Sequence, residues 1–83
     1  MFIVYAICSK SNKKIYIGQT MDIEMRLKQH NEEGNNHVGK YTKQNKGPWK
    51  LIYTESHNTR SEALKREKQL KSFRGREFIR KLI

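Results

Sequence analysis

The chain has 83 residues, 31% of them charged, and a formal net charge of +10 at pH 7. That length supports one modest core, so a single domain over 1–83 is expected, and eight aromatic residues among 35% hydrophobic ones exclude a disordered polymer. One cysteine, Cys8, excludes an internal disulfide and suits a reducing cytoplasm. The Phe2–Cys8 run is too short, and too poor in leading charge, for a membrane span or signal peptide.

A surplus of this size on so small a chain implies a polyanionic partner, nucleic acid before an acidic membrane or protein. It is concentrated late in the chain. From Arg60 to Ile83 nine Lys and Arg face three Glu.

Phe2 to Cys8 is a continuous apolar run rich in β-branched and aromatic residues, which predicts a buried central strand. A polar loop over Ser9–Lys14 leads to a second strand, Ile15–Gly18, antiparallel to the first, bringing Tyr5 and Tyr16 onto neighbouring strands. Thr20 or Asp22 caps a helix over Asp22–His30, in which Ile23 and Leu27 form the apolar stripe and Arg26 and His30 lie four apart beside it. Asn31–Asn36 reads as a turn-rich break with Gly34 as the helix stop, and His37–Gln44 as a short helix or ordered loop. Gly47-Pro48 marks a turn. Trp49–Thr54 then reads as a third strand, with Trp49, Leu51 and Tyr53 on one face.

Thr59-Arg60-Ser61-Glu62 forms a capping box opening a helix with Ala63, Leu64, Leu70 and Phe73 on its packing face. Glu67 falls on that same face. An inward carboxylate requires a cation, either Lys/Arg or a metal ion, because burying it bare is costly. Gly75 is expected to break this helix, with Arg76–Leu82 closing the fold through Phe78, Ile79 and Leu82. The order predicts an α+β fold: a central three-stranded, largely antiparallel sheet flanked by helices.

Tyr5, Tyr16, Arg26, His30 and Glu67 are the residues with chemistry to offer. Singly, each has a structural explanation: core phenols, a surface cation, a histidine at a helix C-terminus, a paired carboxylate. Together they supply a base, a proton relay, a phosphate fork and a hard-metal ligand, which phosphodiester hydrolysis needs. A zinc site from Cys8, His30, His37 and His57 matches no known ligand spacing.

Ile3-Val4-Tyr5, ten residues, then Tyr16-Ile17-Gly18 resembles the GIY-YIG nuclease signature. The resemblance continues through Thr20, Asp22, Arg26 and His30, through Pro48-Trp49-Lys50-Leu51-Ile52-Tyr53 with Glu55, and through Ser61 to Lys71. It is nearest to small stand-alone bacterial members related to the N-terminal catalytic domain of the repair nuclease UvrC.

The resemblance implies a Mg²⁺- or Mn²⁺-dependent endonuclease acting on DNA. In it, Tyr5 and Tyr16 are the signature tyrosines, one of them activating water, and Gly18 leaves room at the site. Arg26 clamps phosphate, His30 assists proton transfer and Glu67 holds the metal. Lys65, Arg66, Lys68, Lys71 and Arg74 are the expected nucleic-acid contacts. Ile3 replaces the first signature glycine, and no asparagine follows Asn58, which leaves Gln69 or Ser72 to buttress the site. Target choice falls to nucleic-acid shape, a protein partner or a homodimer. The alternative function is a basic binding module that kept the fold without useful catalysis.

Overall fold

The computed structural model describes residues 1–11, 13–31 and 48–83. The expected element over His37–Gln44, the Gly34 stop and the Gly47 turn lie outside the described residues. Three strands, β1 (Phe2–Ser9), β2 (Ile15–Thr20) and β3 (Trp49–His57), form one sheet in the order β2-β1-β3, antiparallel throughout. The helices are α1 (Ile23–Asn31), α2 (Arg60–Lys71) and α3 (Phe73–Arg80). The apolar run of β1 takes the centre, and Val4 through Ser9 are all buried.

Because strand side chains alternate, the sheet has two packed faces. On one, Val4, Ala6 and Ile17 meet Ala63 and Leu70 of α2 and Ile79 of α3. On the other, Tyr5, Ile7 and Trp49 pack with Tyr16, Leu51, and Ile23 and Leu27 of α1. Each large aliphatic chain so buried contributes about 1.5–3 kcal/mol.

A bulge interrupts the pairing of β1 with β3. Ala6 stands opposite Tyr53 and Ile7 opposite Leu51, so Ile52 is the extra residue. The expected common face for Trp49, Leu51 and Tyr53 is therefore corrected: Trp49 and Leu51 pack on the α1 side, Tyr53 on the α2 side.

Asp22 is the cap of α1, its Oδ1 accepting from the Met25 N–H at 3.1 Å, while its own N–H donates to Thr20 Oγ1. Thr59 caps α2 as expected, accepting from Glu62 N–H at 3.2 Å. The break between α2 and α3 lies at Ser72, not Gly75. Ser72 accepts from the Gly75 N–H and starts α3 three residues before the predicted closing helix. Gly75 serves close packing instead, since a β-carbon there would collide with the backbone at Gln69 and Leu70. Of the apolar residues assigned inward, Ala63, Leu70 and Ile79 are buried, whereas Leu64, Phe73, Phe78 and Leu82 are exposed. Phe78 still lies edge-on to the Tyr53 ring at 5.5 Å.

Asn31, expected in a turn, ends α1 and ties it to β3. Its amide donates to the Trp49 carbonyl at 3.1 Å and accepts from the Trp49 N–H at 2.6 Å. No described helix is long and apolar enough to cross a membrane.

Candidate active site

Tyr5 occupies the middle of the central strand and is 1% exposed. Its cross-strand partner is Gly18, while Tyr16 pairs with Ile7, so the two tyrosines lie diagonally on the α1 face. Their ring centroids are 6.3 Å apart. A β-carbon at Gly18 would come 2.9 Å from the Tyr5 hydroxyl oxygen and 3.0 Å from the Tyr16 ring. The missing side chain is the space the phenols use.

From α1, His30 closes the group. It is 6% exposed, its Nε2 lies 2.7 Å from the Tyr5 hydroxyl, and its ring centroid is 4.9 Å from that of Tyr16. The helix places it there because Ile23 and Leu27, seven and three residues earlier, seat the same stripe on the sheet. His30 does lie in the last turn of α1, but it is buried against the two tyrosines rather than set out as a charge that favours the helix dipole. Arg26 lies one turn back, and one of its terminal nitrogens donates to Gln29 Oε1 at 3.4 Å. Both Arg26 Nε and His30 Nδ1 are buried without a hydrogen-bond partner among the described residues.

Burial raises the Tyr5 phenol well above its ordinary range, with Tyr16 adding to the shift and the Arg26 guanidinium opposing it. Burial likewise raises Tyr16, again against Arg26. His30 is pushed down to about 4, first by burial and then by the Arg26 charge. At neutral pH the group is thus two protonated phenols and a neutral imidazole beside a fixed cation.

Glu67 arrives from the opposite layer. Its side chain is 19% exposed, Lys71 Nζ stands 3.7 Å from Oε1, and its charge raises both phenols. So the expected set does converge: β1 and β2 bring the tyrosines, α1 brings Arg26 and His30, and α2 brings Glu67 to the edge of the group. A Mg²⁺ ion commonly takes one or two carboxylates, completing its shell with waters and substrate phosphate. One largely covered carboxylate near two phenols fits that requirement, and no cluster of three or more acidic, His or Cys ligands occurs among the described residues.

The expected nucleic-acid contacts separate. Lys65, Lys68 and Arg74 are exposed, and Lys71 leans on Glu67. Arg66 is engaged elsewhere, its Nε donating to Glu55 Oε1 at 2.7 Å and a terminal nitrogen to Gln69 Oε1. Gln69 and Ser72 are both occupied at the end of α2. Glu55 also accepts from the Tyr53 hydroxyl and lies 2.8 Å from His57 Nε2. Burial alone would raise its carboxyl, but hydrogen bonds from Tyr53, His57 and Arg66 hold it below the usual range. This network joins β3 to α2 on the face away from the tyrosines. Sequence reasoning missed it, although Tyr53, Glu55 and His57 alternate along one strand and so share a face.

The chain matches the family described as the GIY-YIG catalytic domain over residues 1–78. It belongs to the GIY-YIG family. Its relatives in that family include a UPF0213 protein of Staphylococcus saprophyticus, 46% identical over 59 residues (71% of this chain, 67% of that one). Another, from Haloquadratum walsbyi, is 41% identical over 64 residues (76% and 66%). The aligned part thus spans about two thirds of the length of these two relatives. The solution structure of a UPF0213 protein from Bacillus halodurans superposes with a TM-score of 0.55 at 28% identity, covering 99% of this chain and 85% of that one. The α+β architecture with its antiparallel three-stranded sheet is the GIY-YIG fold, and the family supports a nuclease-type function on nucleic acid.

Proposed function

We propose that the protein is a divalent-metal-dependent endonuclease that hydrolyses DNA phosphodiester bonds. The carrying observation is the 2.7 Å contact between the Tyr5 hydroxyl and His30 Nε2, in space left by Gly18. A phosphate entering beside Tyr16 meets the Arg26 guanidinium, whose fork matches two phosphate oxygens. Water attacks phosphorus and passes its proton to the Tyr5 oxygen, as Tyr5 passes its own to His30 Nε2. The P–O bond to the departing strand breaks with the electron pair on the leaving oxygen. Negative charge building on phosphate offsets the cost of an imidazolium near Arg26, so substrate itself draws the relay toward neutrality. Glu67 would hold Mg²⁺ or Mn²⁺, which supplies charge neutralisation at phosphate when bound.

One observation favours a second reading, a basic module that binds nucleic acid without cutting it. Burial moves both phenols up and the imidazole down, so none of these three groups titrates near neutral pH in the free site. A cleavage panel separates the two: plasmid, flap and branched DNAs with matched RNAs, in Mg²⁺ or Mn²⁺, comparing wild type with Glu67→Ala and Tyr5→Phe. The nuclease reading expects cutting by wild type alone, abolished by EDTA. Equal binding by all three proteins with no cutting would leave the binding module.

A further inference from the structure

The sequence places its basic surplus from Arg60 to Ile83, and the structure brings three of those cations together with two from the β1–β2 turn. A cleft of about 510 Å³ runs between the β1–β2 turn and the α2–α3 pair. Lys13 and Lys14 line one side, Lys71, Arg76 and Arg80 the other, and Tyr16 with its β2 neighbours forms the floor. No carboxylate is among its described lining residues. We propose that this cleft holds the backbone of the nucleic-acid strand that leads into the Tyr5–His30 site, an assignment that rests on the nucleic-acid reading above.

Three observations point to a polyphosphate occupant. Five cations from chain segments almost sixty residues apart line one hollow, Lys71 already paired with Glu67, and the gathered positive charge favours an anionic occupant. Arg76 and Arg80 stand four apart on α3, a like-charge pair that weakens an isolated helix. Lys13 sits at φ 63°, in the left-handed region that glycine adopts more readily, yet a lysine occupies it. The gathered cations and the Arg76–Arg80 pair work against the free fold and are relieved by a bound anion, while the backbone at Lys13 fixes one of those cations in the turn.

The cleft also has a direction. Tyr16 belongs both to its floor and to the tyrosine–histidine group, and Lys71 at its wall pairs with Glu67. A backbone lying on Arg76 and Arg80 therefore continues past Lys71 and Tyr16 toward Arg26. A cleft this size admits one strand's backbone, alone or as one rail of a duplex, and the lysines and arginines grip phosphates without reading bases.

The test is binding of a labelled single strand and its duplex to the full chain, in EDTA so that nothing is cut, across a series of salt concentrations. One variant removes cleft cations (Lys13→Ala, Arg76→Ala, Arg80→Ala); a charge-matched control removes outer ones (Lys65→Ala, Lys68→Ala, Arg74→Ala). Each phosphate contact contributes about 0.7–0.9 to the slope of log K against log salt. The cleft variant should lower that slope by about 2–3 and weaken binding at least tenfold, the control by far less. The single reversal Arg76→Glu, at an exposed helix position, should weaken binding in the same direction. Equal losses in the two triple variants, or a larger loss in the control, overturn the assignment. So does a cleft variant that loses binding to anionic phospholipid vesicles but keeps its grip on DNA. Cleft-dependent binding by a protein that never cuts in Mg²⁺ would leave the assignment standing and remove the nuclease reading.

Discussion

Gly18 stands directly across the β1–β2 ladder from Tyr5, and a methyl group there would press to 2.9 Å from the phenol oxygen. Neither tyrosine can retreat, because Tyr5 is enclosed by the core and Tyr16 by the His30 ring. Gly18→Ala should therefore destabilise the fold by about 1–3 kcal/mol through overpacking, read from the urea midpoint. It should also displace the Tyr5 hydroxyl from His30, so cleavage should fall by more than the lost stability explains.

Acid should unfold the protein partly through His30. Its folded value of about 4 lies below the ordinary 6.5, so the unfolded chain binds more protons between these limits. The contribution is complete above pH 6.5 and disappears as pH falls through 4. Because a tenfold change in proton affinity is worth about 1.4 kcal/mol, the gap between the two values amounts to roughly 3 kcal/mol. Unfolding free energy measured from about pH 7.5 down to 4 should show that slope in wild type, and His30→Gln should flatten it.

Asn31 joins the end of α1 to the start of β3 through both amide groups. Asn31→Ala should cost about 1–2 kcal/mol, since it leaves the Trp49 N–H and carbonyl without these bonds. Asn31→Asp keeps the acceptor but sets a carboxylate oxygen against the Trp49 carbonyl, so it should be no better than alanine. Hydrogen exchange at the Trp49 amide should accelerate in Asn31→Ala before exchange in β1 does.

The Glu55 carboxylate holds Arg66 at 2.7 Å on the layer remote from the tyrosines. Arg66 is about one third exposed, so the pair is screened and a double-mutant cycle with Glu55→Gln and Arg66→Ala should give a coupling of about 0.5–1 kcal/mol. Cleavage should be retained by Arg66→Ala, because its guanidinium is committed to Glu55 and not to phosphate. A loss of cutting larger than the loss of stability would place Arg66 in contact with nucleic acid.

Element order, the Thr59 cap and the nearness of Tyr5 to Tyr16 were legible because each is local or follows from one strand pairing. Glu67 was legible for a different reason: a carboxylate among apolar helix positions demands a partner, and Lys71 is there. The bulge at Ile52 was not legible, since nothing in Trp-Lys-Leu-Ile-Tyr announces an extra residue and only the pairing with β1 exposes it. Asn31 looked like a turn residue because its value lies in two bonds to a backbone eighteen positions away. The cationic cleft escaped for the same reason: Lys13 and Arg76 become neighbours only through the packing of α3 beside β2.

Ile52 gives β3 two opposite parities. Below it, Trp49 and Leu51 belong to the layer that carries the tyrosine–histidine group; above it, Tyr53, Glu55 and His57 belong to the layer braced by Arg66. One strand thus acts as a rivet through the sheet, with a head on each side. Were Ile52 instead paired in regular register opposite Ala6, Glu55 and His57 would turn toward the tyrosine layer and leave Arg66 without its partner, so the one unpaired position in β3 matters as much as the identity of its residues.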